Sequence, residues 1–236
     1  MLSWHLVVLA GGSGQRYLSS EPKQFDTICQ QSILEISIRA FITVQGLASI
    51  VVVSHPSWIT RTKQVCSILN VKTPSVEIVP GGPTRQESSF NGVQAIKGNS
   101  RDLVLIHDAA RPLVTHELIS RILTAASTVC AAIPIIPLKD SIIAFDQGMV
   151  IDYPERNCLA AVQTPQGFQI DCIRHAHQLA KSERFANAPD DGILVMRAGY
   201  PVATVQGDEI NIKITSPEDK IFAESYLNKR KTVTSS

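Results

Sequence analysis

The chain has 236 residues, 44% of them apolar, and a formal net charge of +1. That length buries a sizeable core in one large domain or two small ones. The near-neutral charge excludes a general nucleic-acid binder, which would carry a basic face.

Residues 5–10, apolar after His5, read as a strand buried on both faces, because a parallel strand covered by helices shows no polar alternation. Gly11, Gly12 and Gly14 follow, where a backbone without Cβ atoms lets amide groups close around an anion. Arg16 and Lys23 come next, with Pro22 fixing the approach to the second cation. Tyr17 stands where a dinucleotide fingerprint needs a third glycine, and no register provides the Gly-Lys-Ser/Thr of a P-loop. A plain tight turn with surface cations is the competing reading. Such a turn needs neither Arg16 nor Lys23, and the two together favour a site for a highly charged phosphate ester. The run is too short, and lacks the basic flank, for a signal peptide. No later segment approaches membrane-spanning length, so a cytoplasmic protein without membrane partners is expected.

Residues 32–44 carry apolar side chains at helical spacing behind Ser32, a suitable N-cap. A strand at 48–54, a helix at 58–69 and a short strand at 76–79 follow, the last ending in Pro80-Gly81-Gly82. A helix at 85–96 and a strand at 102–107 continue the alternation. This pattern predicts an α/β fold: a three-layer, mostly parallel, doubly wound sheet of Rossmann-like order, whose ligands bind beyond the carboxyl ends of its strands. The strand ending at His107-Asp108 offers a hard oxygen ligand suited to nucleotide-bound Mg²⁺, and Arg111 stands where it could fork onto a phosphate. An Asp–Arg surface pair is the alternative for these two residues.

After a strand at 131–138, the stretch Ser141 to Tyr153 reads as a hairpin turning at Gly148. Its two strands are rich in large apolar side chains, and an isolated hairpin is marginal in water, so a partner chain is expected to cover it. Residues 170–180 form an amphipathic helix on which His175 and His177 face different ways, a poor spacing for one metal. Asp190 and Asp191 read as caps of a helix start, and Asn211 to Thr215 as a short strand with Lys213 facing outward. The five cysteines (Cys29, Cys66, Cys130, Cys158 and Cys172) lie far apart without metal-ligand spacing. They read as reduced thiols, most simply as small buried side chains. No linker or repeat interrupts residues 1–236, which read as one domain with a β-arm at about 139–157.

Leu9-Ala-Gly-Gly-Ser-Gly-Gln-Arg16 with Lys23-Gln24, His107-Asp-Ala-Ala-Arg-Pro112, Gln163-Thr-Pro-Gln166 and Asn211-Ile-Lys-Ile-Thr215 occur in one order along the chain. Together they resemble the signatures of the 2-C-methyl-D-erythritol 4-phosphate cytidylyltransferase family, within the sugar-nucleotidyltransferase-like superfamily, and the similarity spans about residues 6–227. The resemblance implies a homodimer and a site for CTP and a polyol phosphate. It implies that Leu9, Ala10, Gly11, Gly12, Gly14, Gly82, Ser88, Asp108 and Ala109 bind the nucleotide, with Gly82 and Ser88 on the cytosine edge, and that Asp108 holds Mg²⁺. Arg16 and Lys23 would be catalytic. Arg111, Thr164 and Lys213 would meet the second substrate, joined by Ser141 and Arg156 reaching across the dimer. Two departures stand out: Ser141 replaces a usual threonine, and Pro189-Asp-Asp-Gly192 replaces a usual Thr-Asp-acidic-Ala.

No Gly-x-Ser-x-Gly elbow, HExxH motif or activated cysteine supports a protein nucleophile. None is needed where an anionic phosphomonoester attacks the α-phosphorus of CTP, provided cations hold the charge and alignment. A ribitol 5-phosphate cytidylyltransferase has closely similar motifs and is the rival within this chemistry. A non-catalytic nucleotide sensor is the rival outside it, and it would not need Lys23, Asp108 and Lys213 together.

Overall fold

The computed structural model describes residues 3–12, 21–70 and 74–234. Four strands, β1 (Trp4–Ala10), β4 (Leu47–Ser54), β5 (Ser75–Pro80) and β6 (Leu103–Asp108), lie parallel in the order β5-β4-β1-β6. Val7 of β1 stands between Val51 of β4 and Ile106 of β6, so the three strands end level with one another. Beyond β6 the sheet continues antiparallel through β11 (Gln166–Gln169) to β7 (Ala131–Pro137). β7 also pairs with β10 (Ala160–Val162) and, in parallel, with β12 (Ala203–Gln206). The eight-stranded sheet is thus mixed, with a parallel centre. A minor ribbon, β2 (Thr27–Ile28) with β3 (Gln31–Ser32), follows the Lys23 turn.

Alternation along the central strands makes three layers. Leu6 and Val8 face α1 (Ile33–Ile42), α2 (Ile59–Ile68) and α4 (His116–Val129), in a core with Leu34, Ile38, Phe41, Val65 and Leu118. Val7, Val51 and Val104 face α3 (Arg85–Ala95), α5 (Ile170–Ser182) and α6 (Gly192–Arg197), with Val93, Ile173 and Val195. Both faces being covered explains why the strands read as continuous apolar runs. A smaller cluster of Ile28, Ile33, Leu113, Ile214 and Ala223 fastens α7 (Pro217–Thr234) beneath the Lys23 segment. Phe41 is fully buried, with its ring 4.9 Å from that of His107. Phe41→Ala is therefore expected to cost about 3–5 kcal/mol, read as a lowered urea midpoint at unchanged slope.

The expected helix ends hold in physical detail. Ser32 accepts from the Glu35 amide, and Thr84 with Glu87 forms a reciprocal capping box. In the arm, β8 (Ala144–Asp146) and β9 (Met149–Asp152) pair, among the described residues, only with each other, and both turn residues, Gln147 and Gly148, have positive φ. Two left-handed residues match the right-handed twist of the hairpin, and glycine adopts that conformation without a Cβ penalty.

Three expectations are corrected. Residues 211–215 form no strand. Ile214 donates to the carbonyl of Ala110, the Asn211 and Ile212 amides turn back to the carbonyls of Asp208 and Ile210, and side chains, Arg111 and Asn211 among them, make further bonds. Asp191 stands at the N-cap position of α6 but its side chain makes no capping bond, whereas Asp190 accepts from the Ile193 amide. Cys29, Cys66 and Cys158 are free, but Cys130 and Cys172 form a disulfide. The strand β11 returns the chain beside the end of α4 before α5 begins, which brings these two cysteines together across 42 residues.

Candidate active site

The sheet winds one way from β1 to β4 and β5, and the other way to β6. Ligands bind at the carboxyl ends of strands where winding reverses in this manner. Register places Leu9 beside Asp108 and Ala10 beside Ser54, and a cavity of about 600 Å³ opens beyond them. Its walls bring together most of the residues singled out in the sequence: Leu9, Ala10, Gly11, Gly12, Lys23, Gly82, Ser88, Asp108, Ala109 and Lys213. They come from five separate segments of the chain. Gly14 and Arg16 lie outside the described residues.

Lys23 opens a 3-10 turn (Lys23–Phe25) and donates through Nζ to the carbonyl of Ile214 at 2.7 Å. The next residue, Gln24, is buried and donates to the Ala10 carbonyl at 2.8 Å, tying the turn to the end of β1. On the opposite wall, the Ser88 hydroxyl accepts from the Gly82 amide at 3.1 Å. A Cβ on Gly82 would come within 2.4 Å of the Glu87 Cβ, so only glycine lets this loop fold back onto the first turn of α3.

Asp108 is the electrostatic centre. Its Oδ2 accepts from Lys213 Nζ at 2.7 Å, and its Oδ1 lies 3.7 Å from Arg85 Nε. Burial alone would raise its pKa, but the charges of Lys213 and Arg85 outweigh that and hold the carboxyl down at about 2. The backbone turn behind it is held by a defined network. Burial lowers the His107 imidazole to about 4, so the ring is neutral at physiological pH. The Arg111 carbonyl, 3.0 Å from Nε2, can only accept, which puts the ring proton on Nε2. Nδ1 therefore accepts from the Thr164 hydroxyl, whose oxygen accepts in turn from the Asp108 amide.

Thr164 thus buttresses Asp108, and its hydroxyl proton is taken by His107. The Arg111 guanidinium donates to the Asn211 carbonyl and lies outside the cavity lining, where it joins the 108–111 and 211–215 segments. Ser141 and Arg156 are exposed and also outside the lining, with Arg156 donating to the Lys139 carbonyl. Sequence reading missed Gln24, His55, Thr84, Arg85 and Thr215 as cavity residues. Gln24 and Thr215 sat inside quoted motifs, and His55 directly follows a strand end. Arg85 carried no signal beyond its place in a helix's first turn.

Asp108 offers one hard carboxylate to a divalent cation. Among the described residues no group of three or more His, Cys, Asp or Glu side chains could hold a metal unaided. This donor set fits Mg²⁺ in the form in which nucleotide phosphates and water fill most of its shell. Among the described residues no helix is long and apolar enough to cross a membrane.

The chain is similar over nearly its whole length to proteins of one family. A 2-C-methyl-D-erythritol 4-phosphate cytidylyltransferase of Bacillus cereus is 37% identical over 226 residues, covering 96% of this chain and 98% of its own. One of Desulforamulus reducens is 40% identical over 225 residues, covering 95% of each. The crystal structure of 4-diphosphocytidyl-2C-methyl-D-erythritol synthase from Anaerococcus prevotii superimposes with a TM-score of 0.82 at 28% identity, covering 96% of this chain and 99% of that one. The family model described as 2-C-methyl-D-erythritol 4-phosphate cytidylyltransferase matches residues 4–229, and the chain belongs to that family.

Proposed function

We propose that the protein transfers a cytidylyl group from CTP to 2-C-methyl-D-erythritol 4-phosphate, releasing pyrophosphate and forming 4-diphosphocytidyl-2-C-methyl-D-erythritol. Family membership supports the reaction. The observation that carries it for this chain is one crevice gathering Gly11 and Gly12 at the end of β1, two lysines and a buried ionised aspartate. Ribitol 5-phosphate, the rival acceptor, is not favoured by the relatives, which carry the methylerythritol name. The whole of residues 1–236 works as one nucleotidyltransferase domain.

In this reading Gly82 and Ser88 take the cytosine edge, while Leu9, Ala10 and Ala109 line the nucleotide. Gly11, Gly12, Gly14 and Arg16 close on the triphosphate. Lys23 neutralises charge that spreads over the α-phosphate as the phosphomonoester oxygen attacks. Asp108 would hold a nucleotide-bound Mg²⁺, which would supply charge neutralisation to the triphosphate. Lys213 and the other chain's Ser141 and Arg156 position the incoming phosphate, while Arg111 and Thr164 act from behind, fixing the Asn211 carbonyl and the Asp108 amide. Pyrophosphate release measured for CTP, UTP and ATP against methylerythritol and ribitol phosphates tests the proposal. Turnover is expected with CTP and methylerythritol 4-phosphate, and a preference for another pair overturns it.

The two-chain site rests on the arm. Phe145, Met149, Ile151 and Tyr153 are 69%, 71%, 67% and 71% exposed, an apolar strip that a second copy would cover. Lys23→Ala and Arg156→Ala variants, each nearly inactive, are expected to complement when refolded together. In a mixed dimer one site carries both lesions and the other none. With random reassortment about half the dimers are mixed and about a quarter of all sites regain wild-type composition. Mixed dimers without recovered activity would place Arg156 outside the neighbouring site.

A further inference from the structure

The run Pro189-Asp190-Asp191-Gly192 departs from the family pattern, and the structure gives its two carboxylates different tasks. Asp190 caps α6 from the surface. Asp191 is completely buried. The Gln166 carboxamide oxygen accepts from the Asp191 and Gly192 amides at 3.0 and 3.1 Å, fixing the backbone from which the carboxylate projects. Oδ1 then accepts from the Ser89 hydroxyl at 2.6 Å and lies 3.4 Å from His177 Nε2. Oδ2 accepts from Arg85 Nη1 at 2.8 Å, and the same guanidinium reaches toward Asp108 with Nε.

Asp191, Arg85, Asp108 and Lys213 therefore form a line of alternating charge from the interior beneath α5 and α6 to the wall of the cavity. Stability does not account for this line. A buried ion pair is commonly no better than apolar side chains of similar volume, because both charges lose their hydration. Here one donor is also wasted: Arg85 Nη2 is buried and has no hydrogen-bond partner among the described residues. What the line does supply is a fixed guanidinium on one side of the Asp108 carboxylate, opposite Lys213.

We propose that Asp191 is a positioning residue for the transfer reaction: acting through Arg85, it sets the orientation in which Asp108 presents its carboxylate to the cation-bearing nucleotide. The inference deepens the proposed function and rests on its reading of Asp108. Partners that orient a ligating carboxylate commonly change metal affinity or activity about ten- to a hundredfold when removed.

The test uses Asp191→Asn and Arg85→Lys, with Asp108→Asn as reference. Asparagine keeps the shape of Asp191 and acceptor contact to Arg85 but removes the charge. Lysine keeps the Arg85 charge but cannot reach both carboxylates. Mn²⁺ binding to protein with CTP is followed by electron paramagnetic resonance, beside kcat, both KM values and thermal melting. Both variants are expected to weaken Mn²⁺ binding about tenfold or more, and to lower kcat at subsaturating Mg²⁺, while KM for methylerythritol 4-phosphate stays unchanged. A lower melting temperature with unchanged Mn²⁺ binding and kinetics overturns the inference. So does failure of both variants to fold, which assigns the line a purely stabilising role. If Asp108→Asn itself retains full Mn²⁺ binding and activity, the reading of Asp108 fails, an outcome distinct from loss in that variant alone.

Discussion

Asp108→Asn is expected to leave the chain folded and to lower Mg²⁺-dependent turnover by about a thousandfold. The side chain keeps its size, and the Asp108 amide keeps its bond to the Thr164 hydroxyl, so the end of β6 holds its path. The chemistry changes in two ways. A neutral amide is a far poorer ligand for a hard cation than a carboxylate. It also leaves Lys213 and Arg85 facing one another without the anion now between them. Lys213 is the freer of the two, with a side chain 42% exposed, and swings toward water. Pyrophosphate release across a Mg²⁺ titration, beside circular dichroism melting, checks this. Undiminished turnover at ordinary Mg²⁺ concentration would remove Asp108 from the reaction.

Lys23→Ala should lower kcat by about a hundredfold or more while CTP affinity changes little. The Lys23–Phe25 turn is seated rigidly, through Gln24 on Ala10 and through the Asp26 carboxylate, which takes both oxygens to Lys220 of α7 at 2.9 Å. The lysine is thus delivered to the cavity by a fixed backbone rather than by a mobile loop. A cation placed where negative charge develops acts chiefly on the transition state. Steady-state kinetics with separate measurement of CTP binding decide the matter. Unchanged kcat with weakened CTP binding would make Lys23 a ground-state clamp.

The parallel centre of the sheet and the helices on its flanks were legible because burial on both faces leaves unbroken apolar runs, and because Ser32 announces a helix start. The helix α4 went unread, although Thr115 caps it and Leu118, Ile119, Ile122 and Ala126 follow at helical spacing. β12 is a four-residue strand with a half-exposed pattern, and only its partner β7 makes it a strand. The glycine turn, Lys23, Asp108 and Lys213 could be read because each sits in a compact motif. The Asp191–Arg85 contact joins residues 106 positions apart, and no local spacing encodes a pairing at that distance. The strand expected at residues 211–215 failed for a related reason. Its alternating pattern is real, but in place of a ladder it is held by the side chains of Arg111 and Asp108 and by the Asn211 carboxamide, which donates to the Thr164 carbonyl.

The pairing of Lys213 with Asp108 bears on how the crevice treats the many small anions of its surroundings. A bare lysine in such a crevice would gather chloride, sulfate or inorganic phosphate, and each would compete with the nucleotide. Lys213 instead carries its own tethered counterion at 2.7 Å. A small anion must separate that pair to bind, and it brings nothing with which to compensate the displaced carboxylate. The cation carried by the nucleotide and the phosphate of the acceptor together supply both partners, a cation for the aspartate and an anion for the lysine. The tethered pair makes the crevice a poor trap for lone anions, so inorganic phosphate should inhibit only weakly.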